Sequence, residues 1–95
     1  MKGRFDLIVI GHQTIDEIVL PGQSVRRSPG GSVTFASLAA TRMGRSTAIV
    51  SRVGRDFPDE YVQWLAQRGV NLDWMIRDRL SETTRFEIRY QEGTE

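Results

Sequence analysis

A carboxylate, a histidine and a pair of glycines in the first third of the chain have the chemistry of a small-molecule site. Asp16 could accept hydrogen bonds from two adjacent hydroxyl groups, because an ionised carboxylate offers two acceptor oxygens. Gly30 and Gly31 leave backbone N–H groups uncovered where a helix is predicted to begin, and a helix N-terminus favours electron-rich groups. His12, the only histidine, could contact a substrate or act as a base. Together these residues predict one wall of a binding site.

Each of these residues also has a purely structural interpretation. Asp16 could be a solvated carboxylate in a turn, and Gly30 with Gly31 could form a tight turn into the helix. His12 could be a hydrogen-bonded structural histidine. The glycines are not a P-loop, because no Lys-Ser or Lys-Thr follows them, and no G-x-G-x-x-G follows the first predicted strand.

The elements that must position these residues have an α/β pattern. Leu7–Ile10 is a continuous apolar run, which is typical of a strand buried on both faces of a parallel sheet. A helix is predicted from Ser32 to about Met43, a second buried strand over Thr47–Val53, and a second helix from an Asp56 N-cap to Arg68. This alternation predicts a parallel sheet with flanking helices. The apolar stripe of the first helix comprises Val33, Ala36, Ala39, Ala40 and Met43.

Two segments do not fit the parallel sheet and predict a separate flap of strands. Glu17–Ser28 has the pattern of a hairpin around a Pro-Gly turn. Thr83–Tyr90 alternates apolar with charged residues, which predicts a strand with one face in water. Trp74–Ile76 is a further short apolar piece between the second helix and this strand.

Composition and charge argue against several classes of binding partner for this chain, among them nucleic acid, metal ions and membranes. The net charge of the 95 residues is +1, so no basic surface is expected for nucleic acid. The absence of cysteine excludes disulfides and thiolate metal sites, and no metal site is expected. No apolar run approaches the ~20 residues that span a bilayer, and the N-terminus does not have the pattern of a signal peptide. A cytoplasmic location without membrane association is the expectation.

Taken in order along the chain, these motifs resemble the N-terminal third of ribokinase/PfkB-type carbohydrate kinases. The resemblance rests on Leu7–Gly11 followed by Asp16, and on the Gly30-Gly31 pair that opens the first helix. Ser51–Asp56 looks like the next segment of that family, and Thr83–Phe86 looks like the start of its later lid strand.

The resemblance implies a ribokinase-like α/β fold whose β-strand lid, here about residues 17–28 and 83–91, closes over the substrate. It implies phosphorylation of a sugar or polyol hydroxyl by ATP with Mg²⁺, and a possible homodimer through the lid strands. Asp16 would bind substrate hydroxyls and Gly30 and Gly31 would lie beside the substrate. The further family contact positions hold Thr14, Ser32, Thr34 and Phe35, and His12 at the end of the first strand is another candidate substrate contact.

Three departures from the family pattern are visible. Phe35 and Thr14 stand where ribose-binding members commonly have asparagine, so a standard ribose or fructose pocket is not expected. The pattern leans instead toward inositol-kinase-like or uncharacterised archaeal-type relatives. The catalytic Gly-x-Gly-Asp motif of the family is absent from these 95 residues, and with it the catalytic base.

Two functional hypotheses follow. The chain is the substrate-binding N-terminal part, residues 1–95, of a kinase domain whose catalytic and nucleotide-binding half lies elsewhere, so the chain alone binds no ATP and is inactive. Alternatively, it is a truncated, non-catalytic module that binds a small molecule or self-associates through an open strand edge. Inositol, a nucleoside, a hexose and a pentose all remain open as substrates.

Overall fold

The fold consists of a parallel sheet with two helices and a smaller, separate sheet. A computed structural model describes residues 4–22 and 24–90. In chain order the elements are β1 (Leu7–Ile10), β2 (Thr14–Val19), β3 (Val25–Gly30), α1 (Ser32–Arg42), β4 (Thr47–Gly54), α2 (Asp59–Gln67), β5 (Val70–Asp78) and β6 (Thr84–Arg89). The central sheet has the order β1-β4-β5 and is entirely parallel. The outer sheet has the order β3-β2-β6, with β2 antiparallel to β3 and parallel to β6. The predicted α/β class, parallel sheet and separate flap are confirmed.

Both helices pack on one face of the central sheet. Val33 of α1 and Leu65 of α2 share a buried cluster with Ile49 and Val70 of the sheet. Successive side chains of a strand point to opposite faces, so the other face carries Ile8, Ile10, Trp74 and Ile76, which are all exposed. Parallel sheets are normally covered on both faces. The central sheet of this chain is covered on one.

The outer sheet is longer at its base than the sequence predicts. The hairpin begins at Thr14 and ends at Gly30, so it reaches the predicted site instead of stopping short at residues 17 and 28. The last strand ends at Arg89, and the predicted lid boundary at residue 91 lies outside the described residues. The first and last residues of the hairpin, Thr14 and Gly30, therefore lie near the carboxyl end of β1.

The predicted apolar stripe of α1 is buried at Val33 and Ala40 but not at its three other positions. The buried residues are Val33, Thr34, Ser37 and Ala40, whereas Ala36, Ala39 and Met43 are exposed. Hydroxyl groups can be buried here because they donate to backbone carbonyls of the same helical turn. Ser37 Oγ lies 3.0 Å from the carbonyl oxygen of Thr34. Hydropathy alone therefore identifies only part of the buried face of this helix.

Two other local predictions need correction. Pro58, not Asp56, occupies the N-cap of α2, and the Asp56 carboxylate instead accepts the backbone N–H of Thr83 at 2.7 Å. All residues of β6 are exposed, so its predicted dry face is uncovered in this chain. The short apolar piece at Trp74–Ile76 is part of the nine-residue strand β5.

Neither helix within residues 4–22 and 24–90 is long and apolar enough to span a lipid bilayer.

Candidate functional site

The predicted site residues meet where β1 ends and α1 begins. Ligands of open α/β sheets bind at the carboxyl ends of the strands. Gly11 follows β1 and donates its N–H to the carbonyl of Val50 at 3.0 Å. A Cβ on Gly11 would lie 2.6 Å from Cγ2 of Val33, so the chain leaves β1 in close contact with α1. This contact fixes the loop that leads to β2 and Asp16.

The Asp16 side chain is held by its two neighbours. Thr14 Oγ1 donates to Oδ1 of Asp16 at 2.7 Å. The carboxyl group lies directly over Gly30, where a Cβ would collide with all three of its terminal atoms. Asp16 is half-buried, whereas Thr14 and Gly30 are buried. The arrangement orients one carboxylate oxygen through Thr14 and leaves acceptor capacity for substrate hydroxyls.

Gly31 makes the turn from β3 into α1. Its φ of 92° and ψ of 155° lie in a region that only glycine adopts readily. A Cβ there would lie 2.6 Å from the carbonyl oxygen of His12. The start of α1 is therefore packed against the loop between β1 and β2. Through this packing Gly31 and the His12 backbone lie together, next to Thr14.

The remaining predicted residues have different surroundings. His12 belongs to the loop between β1 and β2, and it is exposed. Thr34 is buried, and its hydroxyl donates to the carbonyl of Gly30 at 2.7 Å. Phe35 is 60% exposed and lines an open groove with Pro29, Tyr61 and Trp64. The structure thus brings Thr14, Asp16, Gly30 and Gly31 together, with Thr34 beneath them and Phe35 on the neighbouring groove.

Two residues next to the site, Phe86 and Gln13, are not predicted as site residues from the sequence. Phe86 of β6 is the register partner of Asp16 on the adjacent parallel strand, so both side chains lie on the same face of the outer sheet. The alternating pattern of β6 places Phe86 on an apolar face but does not identify the strand beside it. Gln13 is buried beneath the site and hydrogen-bonded to Thr34 and Ser51. No sequence signal marks a glutamine for burial.

The outer sheet is joined to the body at the loop between β4 and α2. The backbone N–H of Gly54 donates to Thr83 Oγ1 at 2.8 Å, and the Thr83 N–H donates to Asp56. Arg85 of β6 also donates to the Asp56 carboxylate, at 2.8 Å. These contacts lower the pKa of Asp56 to about 2, and the hydrogen bond from the Thr83 N–H has the largest effect. Asp56 is therefore ionised at neutral pH and anchors β6.

Charges on the outer sheet are divided between its two faces. Glu17 forms ion pairs with Arg27 and Arg85, which lie on the face opposite Asp16. In the part of the chain that the structure describes, no arginine forms an ion pair with Asp16, and no group of three acidic or histidine residues could hold a metal ion.

Comparison with known proteins identifies the family. Residues 4–94 match the model of the pfkB family of carbohydrate kinases. The chain is similar to a cytidine kinase of Thermococcus kodakarensis, with 36% identity over 61 residues, 64% of this chain and 22% of that protein. It is also similar to a nucleoside kinase of Methanothermobacter thermautotrophicus, with 32% identity over 83 residues, 75% of this chain and 27% of that protein.

Solved structures show the same fold. The nucleoside kinase of Methanocaldococcus jannaschii, described as an archaeal member of the ribokinase family, has a TM-score of 0.82 at 21% identity. That likeness covers 94% of this chain and 34% of the other. An uncharacterised sugar kinase of Pyrococcus horikoshii in complex with ATP has a TM-score of 0.79 at 21% identity, covering 93% of this chain and 32% of that one.

The chain therefore spans about a quarter of the length of these curated relatives and about a third of these solved kinases. The ordered motifs, the two sheets and the match over residues 4–94 agree with one another. This chain belongs to the pfkB family of carbohydrate kinases, a family of phosphotransferases.

Proposed function

We propose that this chain is the substrate-binding part of a kinase that transfers a phosphoryl group from ATP to a hydroxyl of a sugar-containing substrate. The observation that carries the proposal is the Asp16 carboxylate, which Thr14 orients and Gly30 accommodates at the carboxyl end of β1. A carboxylate can accept hydrogen bonds from two vicinal hydroxyls at once. Such pairs of hydroxyls distinguish sugars and polyols from most other metabolites.

In this proposal the residues of the chain bind and orient the acceptor and do not perform the proton transfer. Asp16 holds the acceptor through its hydroxyls, and uncovered backbone at Gly30 and Gly31 allows the substrate to approach closely. Holding an acceptor in a fixed orientation lowers the entropic cost of reaction. ATP with Mg²⁺ would supply the phosphoryl group. The catalytic base and the nucleotide site would belong to parts of the protein outside this chain, and the isolated chain would be inactive.

We infer that the acceptor is a nucleoside. The two curated relatives are named cytidine kinase and nucleoside kinase, which supports this class. The exposed ring of Phe86 lies on the same face as Asp16, on the neighbouring strand. A carboxylate beside an aromatic ring suits a ligand with a hydroxylated sugar and a flat apolar base. Thr14 and Phe35, which replace asparagines common in ribose-binding relatives, favour a pocket different from that of a free pentose.

The outer sheet would act as a lid over the acceptor and as the contact of a homodimer. The face that carries Asp16 continues into Ile18 and Ile88, register partners on β2 and β6. Ile88 and Phe86 are about half exposed. Exposed apolar residues on an open sheet are a hallmark of association surfaces. A second copy of the chain would cover this face in the cytoplasm, where we place the protein.

A screen of phosphoryl transfer in the full-length protein tests the proposal. The protein is incubated with ATP, Mg²⁺ and one acceptor at a time: cytidine, other nucleosides, ribose, fructose or myo-inositol. The expected result is the highest kcat/KM with a nucleoside. A higher kcat/KM with myo-inositol or a free sugar would contradict the proposal that the acceptor is a nucleoside, but it would still support kinase activity. Failure of every acceptor would favour the alternative of a non-catalytic binding module.

A further inference from the structure

The geometry points to Gln13 as a positioning residue that sets the floor of the acceptor site, an inference that rests on the proposed role of Asp16. Gln13 lies in the loop between β1 and β2, directly before Thr14. Its side chain is 1% exposed, so it cannot itself contact a substrate. Its effect must pass through the residues to which it is hydrogen-bonded.

A directed series of hydrogen bonds runs from β4 to Gly30 through Gln13. Ser51 Oγ donates to Gln13 Oε1 at 2.7 Å. Gln13 Nε2 donates to Thr34 Oγ1 at 3.3 Å. Thr34 Oγ1 in turn donates to the carbonyl oxygen of Gly30 at 2.7 Å. Each donor in the series points toward Gly30, so the series ends on the residue beneath the Asp16 carboxyl group.

The burial of this series shows that its geometry is constrained. Thr34 is 1% exposed and Ser51 is 6% exposed. Buried polar groups are costly unless they are paired, and a fully paired network specifies one arrangement of the elements that carry it. The three side chains belong to the β1–β2 loop, to α1 and to β4. The network therefore joins the central sheet, the first helix and the base of the outer sheet at one point.

The same network acts on Asp16 from two sides. Gly30 supports the carboxyl group from below, and Thr14, the next residue after Gln13, donates to Oδ1. A shift of Gln13 would move the Thr14 donor and the Gly30 floor together. Thr34, which the family resemblance placed at a substrate contact, is assigned the same positioning role because its hydroxyl is engaged inside the protein.

Substitutions in the full-length protein separate positioning from stability. Gln13→Met keeps the length of the side chain and removes its polar atoms. Thr34→Val is isosteric and lacks the hydroxyl, whereas Thr34→Ser retains it. Gln13→Met and Thr34→Val each remove two hydrogen bonds of the series, and the weaker support of Asp16 is expected to raise the acceptor KM about tenfold in both variants. The acceptor KM of Thr34→Ser should stay close to the wild-type value. In all three variants, the KM for ATP and kcat should also stay close to wild type. Gln63→Met, on the exposed side of α2, is the matched control.

A triple variant separates an effect on acceptor positioning from an effect on stability. Gln13→Met combined with Thr34→Val and Ser51→Ala removes the side-chain donors and acceptors of the series together and leaves only the Gly30 carbonyl without its side-chain donor, so its melting temperature should recover part of the way toward wild type. The raised acceptor KM should persist, because the bond to Gly30 is still missing. Recovery of both together would overturn the positioning role, and so would a wild-type acceptor KM in Gln13→Met and Thr34→Val.

A readout independent of activity distinguishes failure of this inference from failure of the proposed function. The NMR shift of the Asp16 carboxyl carbon should change in Gln13→Met and Thr34→Val and stay in place in Thr34→Ser and Gln63→Met. An unchanged Asp16 signal in the first two variants would overturn the inference even in an active kinase. A changed signal in a protein that phosphorylates no acceptor would retain the inference and reject the proposed function.

Discussion

The two adjacent glycines of the site have different physical roles. Gly31 is needed for its backbone conformation, because its φ of 92° is strained for any residue with a side chain. Gly30 ends β3 and is not among the glycines with a positive φ. It is needed for space, because the Asp16 carboxyl group occupies the position of its missing Cβ. The position of the Asp16 carboxylate, which we propose binds the substrate, thus requires a residue without a Cβ at position 30.

Gly30→Ala should therefore impair acceptor binding in the full-length protein. The added methyl group displaces the Asp16 carboxylate from the Thr14 hydroxyl, and the acceptor KM should rise about tenfold or more. Steady-state kinetics with varied acceptor measure the effect. Gly44→Ala is the control: its φ is +80° with nothing within 4 Å, so it costs stability of about 1 kcal/mol and leaves the KM unchanged. An unchanged acceptor KM in Gly30→Ala would refute this role of Gly30.

At the residue scale, the sequence indicated the residues that we propose as ligand contacts better than the residues that support them. Asp16 and the glycines have residue types whose chemistry is visible without a structure. Gln13 is missed because glutamine is mostly an exposed residue, and nothing in its neighbours announces a buried partner. Its partners Thr34 and Ser51 are distant in sequence, and only the packing of α1 on β4 brings them together.

Among the elements, β6 is attached to the body through several contacts at the loop between β4 and α2, and the Asp56 carboxylate makes two of them. Asp56 accepts hydrogen bonds from the Thr83 backbone and from Arg85, and Arg85 also lies 3.9 Å from Glu17 of β2. The loop between β4 and α2 is thereby connected to two strands of the outer sheet. Movement of the outer sheet relative to the body would stretch these contacts.

The attachment of β6 should weaken in acid. The pKa of Asp56 is about 2 in the folded protein and about 4 in an unfolded chain. A lowered pKa means that the stabilising contribution is complete above about pH 4 and is lost as the pH falls toward about 2. The hydrogen-exchange protection factors of the β6 amides, which are corrected for the intrinsic pH dependence of exchange, should therefore fall over this range. Asp56→Asn should show fast exchange already at pH 5, whereas Glu60→Gln, an exposed residue of α2, should behave as wild type.

The opposite pattern would contradict this account of β6. Equal protection of the β6 amides in Asp56→Asn and wild type at pH 5 would show that backbone pairing with β2 alone holds the strand.

At the element scale, patterns of hydropathy predicted the number and type of the main elements but not their surroundings. The alternation in β6 correctly gives a strand, yet whether its apolar face is dry depends on what covers it. The burial of Thr34 and Ser37 in α1 follows from hydrogen bonds of their hydroxyls to the carbonyls of Gly30 in β3 and of Thr34 in α1, which hydropathy does not represent. Asp56 has the residue type of an N-cap but is captured by Thr83, a residue 27 positions away.

In the whole molecule, two apolar faces lie open among residues 4–22 and 24–90. One is the uncovered side of the central sheet, and the other is the side of the outer sheet that carries Ile88. The solved kinases are about three times as long as the aligned part, so the first face has ample chain in such proteins to cover it. The outer sheet is the face that we propose for the contact between two copies.

Ile88→Lys should dissociate this dimer in the full-length protein. A buried lysine at the interface would lose its hydration without gaining a partner, whereas the register neighbour Ile18 offers only an apolar surface. Sedimentation velocity should show a dimer for wild type and a monomer for the variant. Leu80→Lys is the control, because Leu80 is 92% exposed and lies outside the outer sheet. A wild-type monomer, or a dimer that survives Ile88→Lys, would exclude this surface.

The sequence predicted the architecture of the whole molecule through the order of its motifs, since strand, helix and glycine positions together specify the family. It could not predict that Phe86 lies beside Asp16, because the parallel pairing of β2 with β6 joins segments about 70 residues apart in the chain. Pairing between distant strands is decided by packing of the complete fold.

The most direct test of the central claim is the effect of Asp16→Asn on acceptor phosphorylation by the full-length protein, with cytidine as the first acceptor. The amide removes the charge and one acceptor site, so kcat/KM should fall about 100-fold, while the protein stays folded. Asp73→Asn, an exposed change on β5, should leave kcat/KM unchanged. If Asp16→Asn phosphorylates the acceptor as fast as wild type at low acceptor concentration, Asp16 does not bind the substrate and the proposed site is wrong.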